Sequence, residues 1–375
     1  MLIKNGRVLC GDFTLAQKDI LLEGETIAAV GELEGEGVDA SGLLVLPGLV
    51  DIHTHGVGEH ECYDGNGAAE KVARALASGG TTAFLPTCRG MDIEKLVSVT
   101  AEIADFIENG AADGCAMPEG INLEGPFLSE AKRGAHPVEY LSKPDLALYS
   151  RLREAAKGHV KLVTVAPEYD GADALIKEIT KTAAASLGHT AADYGTAKRA
   201  FACGASHVTH LFNAMLPFGH REPGLAGAAL ESDSVTCELI CDGEHVHPAV
   251  VKAAFKALGA ERVALISDSV AGAGLPHGEY VFRGIKHMRD GGRAVRLADG
   301  SLAGGGGFLL DNVRCAVEAG VPLADAVRSA TLTPARIIGA ADRIGSVSAG
   351  KRADLILVND ALELKAVVLR GRLLS

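Results

Sequence analysis

Tryptophan is absent from the 375 residues, and aromatic side chains make up only 4% of them. The core must therefore be filled by aliphatic and small side chains, and 46 glycines imply many tight turns. Positive charge is also short: 36 Lys and Arg face 48 Asp and Glu, a formal net charge of −12. Nucleic acids and anionic membranes need a basic footprint, so neither is an expected partner. An anionic small molecule remains admissible if a local cationic pocket holds it. No 18 apolar residues run together, so no transmembrane helix is expected. The amino terminus enters strand-like sequence without a basic region and apolar run, so no signal peptide is expected. The eight cysteines form no CxxC pair, which fits free thiols in a reducing cytoplasm better than a disulfide framework. Gly-Gly pairs occur at Gly79-Gly80, Gly291-Gly292 and Gly304–Gly307, yet none belongs to a GxxxxGK phosphate loop.

What is present divides the chain into two kinds of pattern. Residues 1–47 and 344–375 read as short strands punctuated by glycine, and predict one small β-sandwich domain built from both ends. Residues 48–343 alternate strand-like and helical runs. The strand-like runs end at Asp51–His55, Phe84–Thr87, Ile121–Glu124, Leu162–Ala166, Ser186–His189, Val208–His210, Glu238–Cys241 and Val263–Asp268. Helical spacing lies between them, as at Ala69–Ala77, Ile93–Ile107, Ala172–Ala185, Ala191–Ala202 and Pro248–Leu258. Eight such units predict an α/β fold, a (β/α)₈ TIM-like barrel of roughly the usual ~250-residue size. A doubly wound open sheet competes, but its glycine fingerprint after the first strand is missing.

The chemistry lies at the strand ends. His53 and His55 are two apart, so in a strand both imidazoles face one way. Glu124 closes Ile-Asn-Leu-Glu, His189 closes Ser-Leu-Gly-His, His210 closes His-Val-Thr-His, and Asp268 closes Val-Ala-Leu-Ile-Ser-Asp. Carboxyl ends of barrel strands converge on one mouth. Four imidazoles and two carboxylates there form a ligand set suited to Zn²⁺ or Fe²⁺. Taken singly, each has a structural alternative: Glu124 or His189 could cap the segment that follows. His207, three before His210, is expected to face outward in a structural role. His60, His159, His220, His247, His277 and His287 have no comparable placement.

The segment Pro47-Gly48-Leu49-Val50-Asp51-Ile52-His53-Thr54-His55-Gly56 resembles the first-strand signature of the amidohydrolase superfamily. Further segments narrow the resemblance: Leu123–Leu128, Arg133–His136, Gly188–Thr190, Thr209–Met215, Arg221–Gly227, Asp242–Pro248 and Ser267–Ser269. In order, from about residue 47 to 350, they are similar to the N-acetylglucosamine-6-phosphate deacetylase family. The resemblance implies hydrolysis of a sugar N-acetyl amide with one or two divalent metals. Glu124, His189 and His210 would hold the main metal, and His53 and His55 a second bridged by Glu124. Asp268 would be the general acid/base, with His136, Asn213, Ala214, Arg221 and His245 contacting substrate. His136 would also steady the oxyanion, and Arg221 would meet the phosphate, across a homodimer interface in this family. Three segments depart from the family pattern: Gly56–His60, the glycines of Leu302–Gly307, and Glu244 beside His245. Another amide, such as N-acetylgalactosamine 6-phosphate or a cyclic ureide, a catalytically silent relative and a nonenzymatic sugar-binding protein are the competing readings.

Overall fold

The structure, a computed structural model, describes residues 1–290 and 292–374; Gly291 of the Gly291-Gly292 pair and Ser375 lie outside them. Eight parallel strands form its centre: β1 (Leu49–Thr54), β2 (Thr81–Arg89), β3 (Ile121–Glu124), β4 (Val160–Val165), β5 (Ala184–Leu187), β6 (His207–Val208), β7 (Thr236–Ile240) and β8 (Val263–Ile266). Each pairs with the next in chain order, from β1 through to β8. The ring closes where the Asp268 amide donates to the His53 carbonyl at 2.9 Å and the His55 amide to the Ser269 carbonyl at 2.8 Å. This is a (β/α)₈ barrel, with helices outside the strands.

Strand alternation sorts the core into two layers. Val50, Ile52, Ala83, Leu85, Leu162, Ala264 and Ile266 pack together across the ring. Their neighbours Leu49, Phe84, Val163, Val263 and Leu265 pack outward in the shell beneath the helices. The short helix Leu332–Ile337 and the turn after it bring Ala335, Ile338 and Ile344 against the inner layer. Chain polarity places these at the end of the barrel opposite the strands' carboxyl ends.

Both chain ends meet in one eight-stranded sheet, in which Leu44–Pro47 lies between Leu2–Leu9 and Leu355–Val358. Alternation decides here too. Val45, Leu355 and Leu357 face a small core with Ile3, Ile20 and Ile27, while Leu44, Leu46, Ile356 and Val358 face the barrel's core. The sheet is thus welded to the barrel by its second apolar face.

Two features differ from the sequence reading. The helix expected over 172–185 stops at Ile179, and β5 begins at Ala184. The alanines at 183–185 straddle the start of β5 and suit either state, so periodicity does not mark the boundary. Between β8 and the helix Leu309–Glu318 stands a four-stranded antiparallel sheet, Gly278–Phe282, Ile285–Arg289, Ala294–Leu297 and Leu302–Gly305. Its last strand lies against the backbone after β8, with the Gly305 amide donating to the Asp268 carbonyl at 2.7 Å. A Cβ on Gly305 would stand 2.1 Å from the Ser267 carbonyl oxygen, so only glycine permits this approach.

Among the described residues no helix is long and apolar enough to cross a membrane.

Candidate metal centre at the barrel mouth

Glu124, the last residue of β3, is the hub. Its Oε1 lies 3.0 Å from His210 Nε2, 3.1 Å from His189 Nε2 and 3.4 Å from His53 Nε2. Its Oε2 lies 3.2 Å from both His55 Nε2 and His136 Nε2. Asp268 Oδ1 completes the cluster at 3.3 Å from His55 Nε2 and 3.6 Å from His53 Nε2. The structure therefore brings together seven of the residues singled out from the sequence, from five different strands or the loops after them.

Local backbone conformation explains how they meet. His189, His210 and Asp268 each stand two residues beyond the end of their strand, with φ of 45°, 29° and 46°. Left-handed backbone is costly for residues with a Cβ, and such strain gathers at functional sites. Here it breaks the strand's alternation and turns each side chain across the mouth. In β1 the pairing with β2 slips between Asp51 and Thr54. That bulge lets His53 enter the interior although its neighbour Ile52 already packs there.

The outer partners fix the imidazoles. His53 Nδ1 is 2.9 Å from Glu238 Oε2, His55 Nδ1 3.3 Å from the Thr87 carbonyl, and His189 Nδ1 2.8 Å from the Lys132 carbonyl. Acceptors at Nδ1 place the proton there and leave Nε2 with a lone pair aimed at the cluster. His189 Nε2 and His210 Nε2 then face one another at 3.0 Å, and the buried His53 Nε2 has no hydrogen-bond partner. Converging lone pairs of this kind repel unless a cation lies among them, so the donor set fits a metal ion. Two ligand groups can be drawn, His53 with His55 and Glu124, and Glu124 with His136 and His189.

Burial lowers His53 and His55, yet the carboxylates around them prevail and raise both, His55 to about 9, so a cation entering the site displaces protons. Burial works against the charge of Glu124, but His53, His189 and His136 outweigh it and hold the carboxyl well below its usual range. Asp268 is likewise held low: burial opposes its charge, and His53 and His55 prevail. Burial pushes His136 down to about 3 against the pull of Glu124, so its ring is a neutral donor at neutral pH.

Glu238, inside β7, was not singled out from the sequence. It is fully buried, accepts from the His210 amide at 3.0 Å, and lies 3.3 Å from His207 Nε2 through its other oxygen. An acid in the apolar run Cys-Glu-Leu-Ile-Cys was the available signal, because a buried carboxylate without partners is expensive. His207 is corrected by the same contact. It faces inward, fully buried, with Nδ1 2.6 Å from Thr236 Oγ1. The chain leaves β6 after Val208, so strand parity does not carry from His207 to His210. Glu238→Gln is expected to weaken metal binding by roughly 10–100-fold with the fold retained, the usual cost of an outer ligand partner. Metal titration beside thermal unfolding checks this; wild-type affinity would contradict it.

A cavity opens onto the cluster, lined among others by His55, Glu124, His136, His189, His210 and Asp268. Asn213, Ala214 and His245 line its wall, and His245 is oriented by Asp242 at 2.6 Å from Nδ1. Leu302, Ala303 and Gly304 of the inserted sheet form part of the rim. Arg221 is exposed on the loop before the helix Gly224–Glu231 and does not line this cavity. Glu244 turns away to Arg296 and the backbone of the inserted sheet, and does not line it either. Arg89, unmarked in the sequence reading, is the only Arg or Lys among its described lining residues.

A barrel carrying His-X-His after its first strand, with an acid, two histidines and an aspartate after later strands, defines a metal-dependent amide hydrolase. The chain belongs to the amidohydrolase family, whose sequence pattern matches residues 44–374. It is similar to the N-acetylglucosamine-6-phosphate deacetylase of Bacillus subtilis, 36% identical over 88% of this chain and 84% of that protein. It is also 32% identical to the N-acetylgalactosamine-6-phosphate deacetylase of Escherichia coli O157:H7, over 98% of each. Among solved structures, the N-acetyl-D-glucosamine-6-phosphate deacetylase of Mycobacterium smegmatis in complex with N-acetyl-D-glucosamine-6-phosphate matches 100% of this chain and 99% of that one. Its TM-score is 0.93 at 32% identity.

Proposed function

We propose that the protein hydrolyses the N-acetyl amide of N-acetyl-D-glucosamine 6-phosphate, giving glucosamine 6-phosphate and acetate. The observation that carries this is the carboxylate of Glu124 set among five imidazole Nε2 atoms at 3.0–3.4 Å, beside Asp268, in a barrel of deacetylase likeness.

Glu124, His189 and His210 would hold the main divalent metal, and His53 and His55 with Glu124 a second. The nitrogen and oxygen donors suit Zn²⁺ or Fe²⁺. A cation bound there lowers the pKa of water from 15.7 towards ~7 and polarises the amide carbonyl. The chain supplies the rest. Asp268, ionised and at the cavity wall, accepts the proton of the attacking water and returns it to the departing nitrogen. His136, neutral, donates to the oxygen on which charge develops. Asn213, Ala214 and His245 orient the sugar, and water is excluded by the rim of the inserted sheet.

Arg221 meets the 6-phosphate from a neighbouring subunit. Its exposure outside its own chain's cavity supports this, and with it a homodimer. A charged hydrogen bond is worth about 1.5–3 kcal/mol, or roughly 10–150-fold. Arg221→Ala is therefore expected to lower kcat/KM for the phosphorylated sugar by that factor and to leave the unphosphorylated sugar nearly unchanged. Equal losses on both would assign Arg221 a structural role. The eight cysteines, all free, suit work in the reducing cytoplasm.

A second reading, the galactosamine epimer, is favoured by relatives of both names at comparable identity. Acetate release from the two 6-phosphates by metal-loaded protein decides between them: a higher kcat/KM on the galactosamine epimer replaces the first reading.

A further inference from the structure

The cavity over the metal centre has two ends. Asn213, Ala214 and His245 form one. At the other, Tyr63, Arg89, Ala135, Val270 and Ala303 line both this cavity and a second one, so the two adjoin there. With the sugar held at the first end and the amide carbon at the cluster between, the acyl group points to the second. Beside that end stands a chamber of about 1040 Å³ of empty space, including the part open to solvent.

Its lining carries Arg89, Lys95 and Arg283 against Glu61 and Asp92, a small cationic excess in a chain of net charge −12. Arg89 closes β2 as the register partner of Glu124, so its side chain shares the mouth of the barrel. The guanidinium donates from Nη2 to the Ala135 carbonyl at 2.9 Å and has no ion-pair partner among the described residues. Glu61, on the same wall, is held by Arg283 at 2.8 Å, and Arg283 stacks over the Tyr63 ring at 4.4 Å. Lys95 adds a further cation to the lining, together with Asp92. A half-buried guanidinium with open donors fits a carboxylate, which it can bind through two parallel hydrogen bonds. Arg89 lines the cavity that Glu124 and Asp268 also line, so an acyl chain bound at the cluster shares that space with the guanidinium.

We propose that this chamber is an acyl subsite, and that the enzyme also hydrolyses hexosamine 6-phosphate amides whose acyl chain ends in a carboxylate. The inference rests on the deacetylase reading above and extends it to the acyl side. The reaction is the same hydrolysis: water gives its hydroxyl to the acyl carbon, the C–N bond breaks, and the proton goes to nitrogen. An N-succinyl substrate thus yields glucosamine 6-phosphate and succinate without any further reactant.

The test compares N-acetyl-, N-butanoyl- and N-succinyl-glucosamine 6-phosphate with metal-loaded enzyme. The butanoyl chain matches succinyl in length without its charge. In wild type, succinyl is expected to exceed butanoyl in kcat/KM by roughly 10–150-fold, the worth of a charge-assisted hydrogen bond. Arg89→Met is expected to erase that ratio, and Arg89→Lys to restore part of it. Turnover of the acetyl substrate with no preference for succinyl over butanoyl overturns the proposal and leaves the deacetylase reading standing. An equal loss on all three substrates in Arg89→Met also overturns it, since the guanidinium would then serve the phosphate or the fold. Failure of wild type on all three removes the deacetylase reading, and this inference with it.

Discussion

Asp268→Asn is expected to lower kcat by roughly 10²–10⁴-fold while the protein keeps its metal, the usual worth of a positioned acid/base. The substitution preserves shape and the oxygen that faces His53 and His55, at 3.6 and 3.3 Å. It removes the one property the reaction needs from this position, the capacity to take a proton and give it back. Two features suit the wild-type group to the task. Its carboxyl is held below the ordinary range by the neighbouring imidazoles, so it is ionised at neutral pH. Its backbone, in the left-handed region, is tied to β1 by the bond to the His53 carbonyl, which keeps the side chain aimed at the cavity. Single-turnover rates beside a metal count check the assignment. Near-normal turnover by a metal-replete variant would contradict it.

Glu124→Ala is the second large effect. Among the described residues Glu124 alone touches all four of His53, His55, His189 and His210, so on the proposed ligation its removal is expected to bring metal content to background. Metal catalysis contributes several kcal/mol to the barrier, and each 1.36 kcal/mol is tenfold. The loss in kcat is therefore at least about 10³-fold. The barrel is expected to remain folded, because His53, His55 and His189 keep their Nδ1 partners in Glu238, the Thr87 carbonyl and the Lys132 carbonyl. Far-UV circular dichroism and thermal unfolding separate the two effects. A variant that binds metal like wild type would show that Glu124 is peripheral.

Much of this site was legible because the barrel turns chain order into geometry. Once eight strand–helix units are counted, residues at strand ends must meet, however far apart in the chain. Glu124 and His210 are 86 residues apart and 3.0 Å apart in space. What alternation could not supply lay where alternation fails. His207 was assigned outward by parity, but the chain departs from strand geometry at His210, so counting from one to the other has no meaning. The β1 bulge at Asp51–Thr54 is equally silent in the sequence, since it depends on the register with β2. Glu238 was overlooked because it lies inside a strand rather than at its end, where it supports the ligands and does not meet the cavity.

The inserted sheet was missed for a different reason. Its strands run from Gly278 to Gly305 with alternating exposure, as in Gly278–Phe282, and carry few of the apolar runs that mark barrel strands. Yet it builds the rim at Leu302–Gly304 and supplies Phe282, Arg283 and Ile285 to the second chamber. The glycines of Leu302–Gly307 mark a departure from the family pattern in the sequence. In the structure they are what allows that strand to lie on the Ser267–Asp268 backbone.

The most direct measurement is acetate release from N-acetylglucosamine 6-phosphate by the same preparation in three states: as purified, stripped with chelator, and reloaded with Zn²⁺ or Fe²⁺, each with its metal count. Activity is expected to vanish on stripping and to return with one or two equivalents of metal per chain. Undiminished acetate release by protein free of metal would contradict the account.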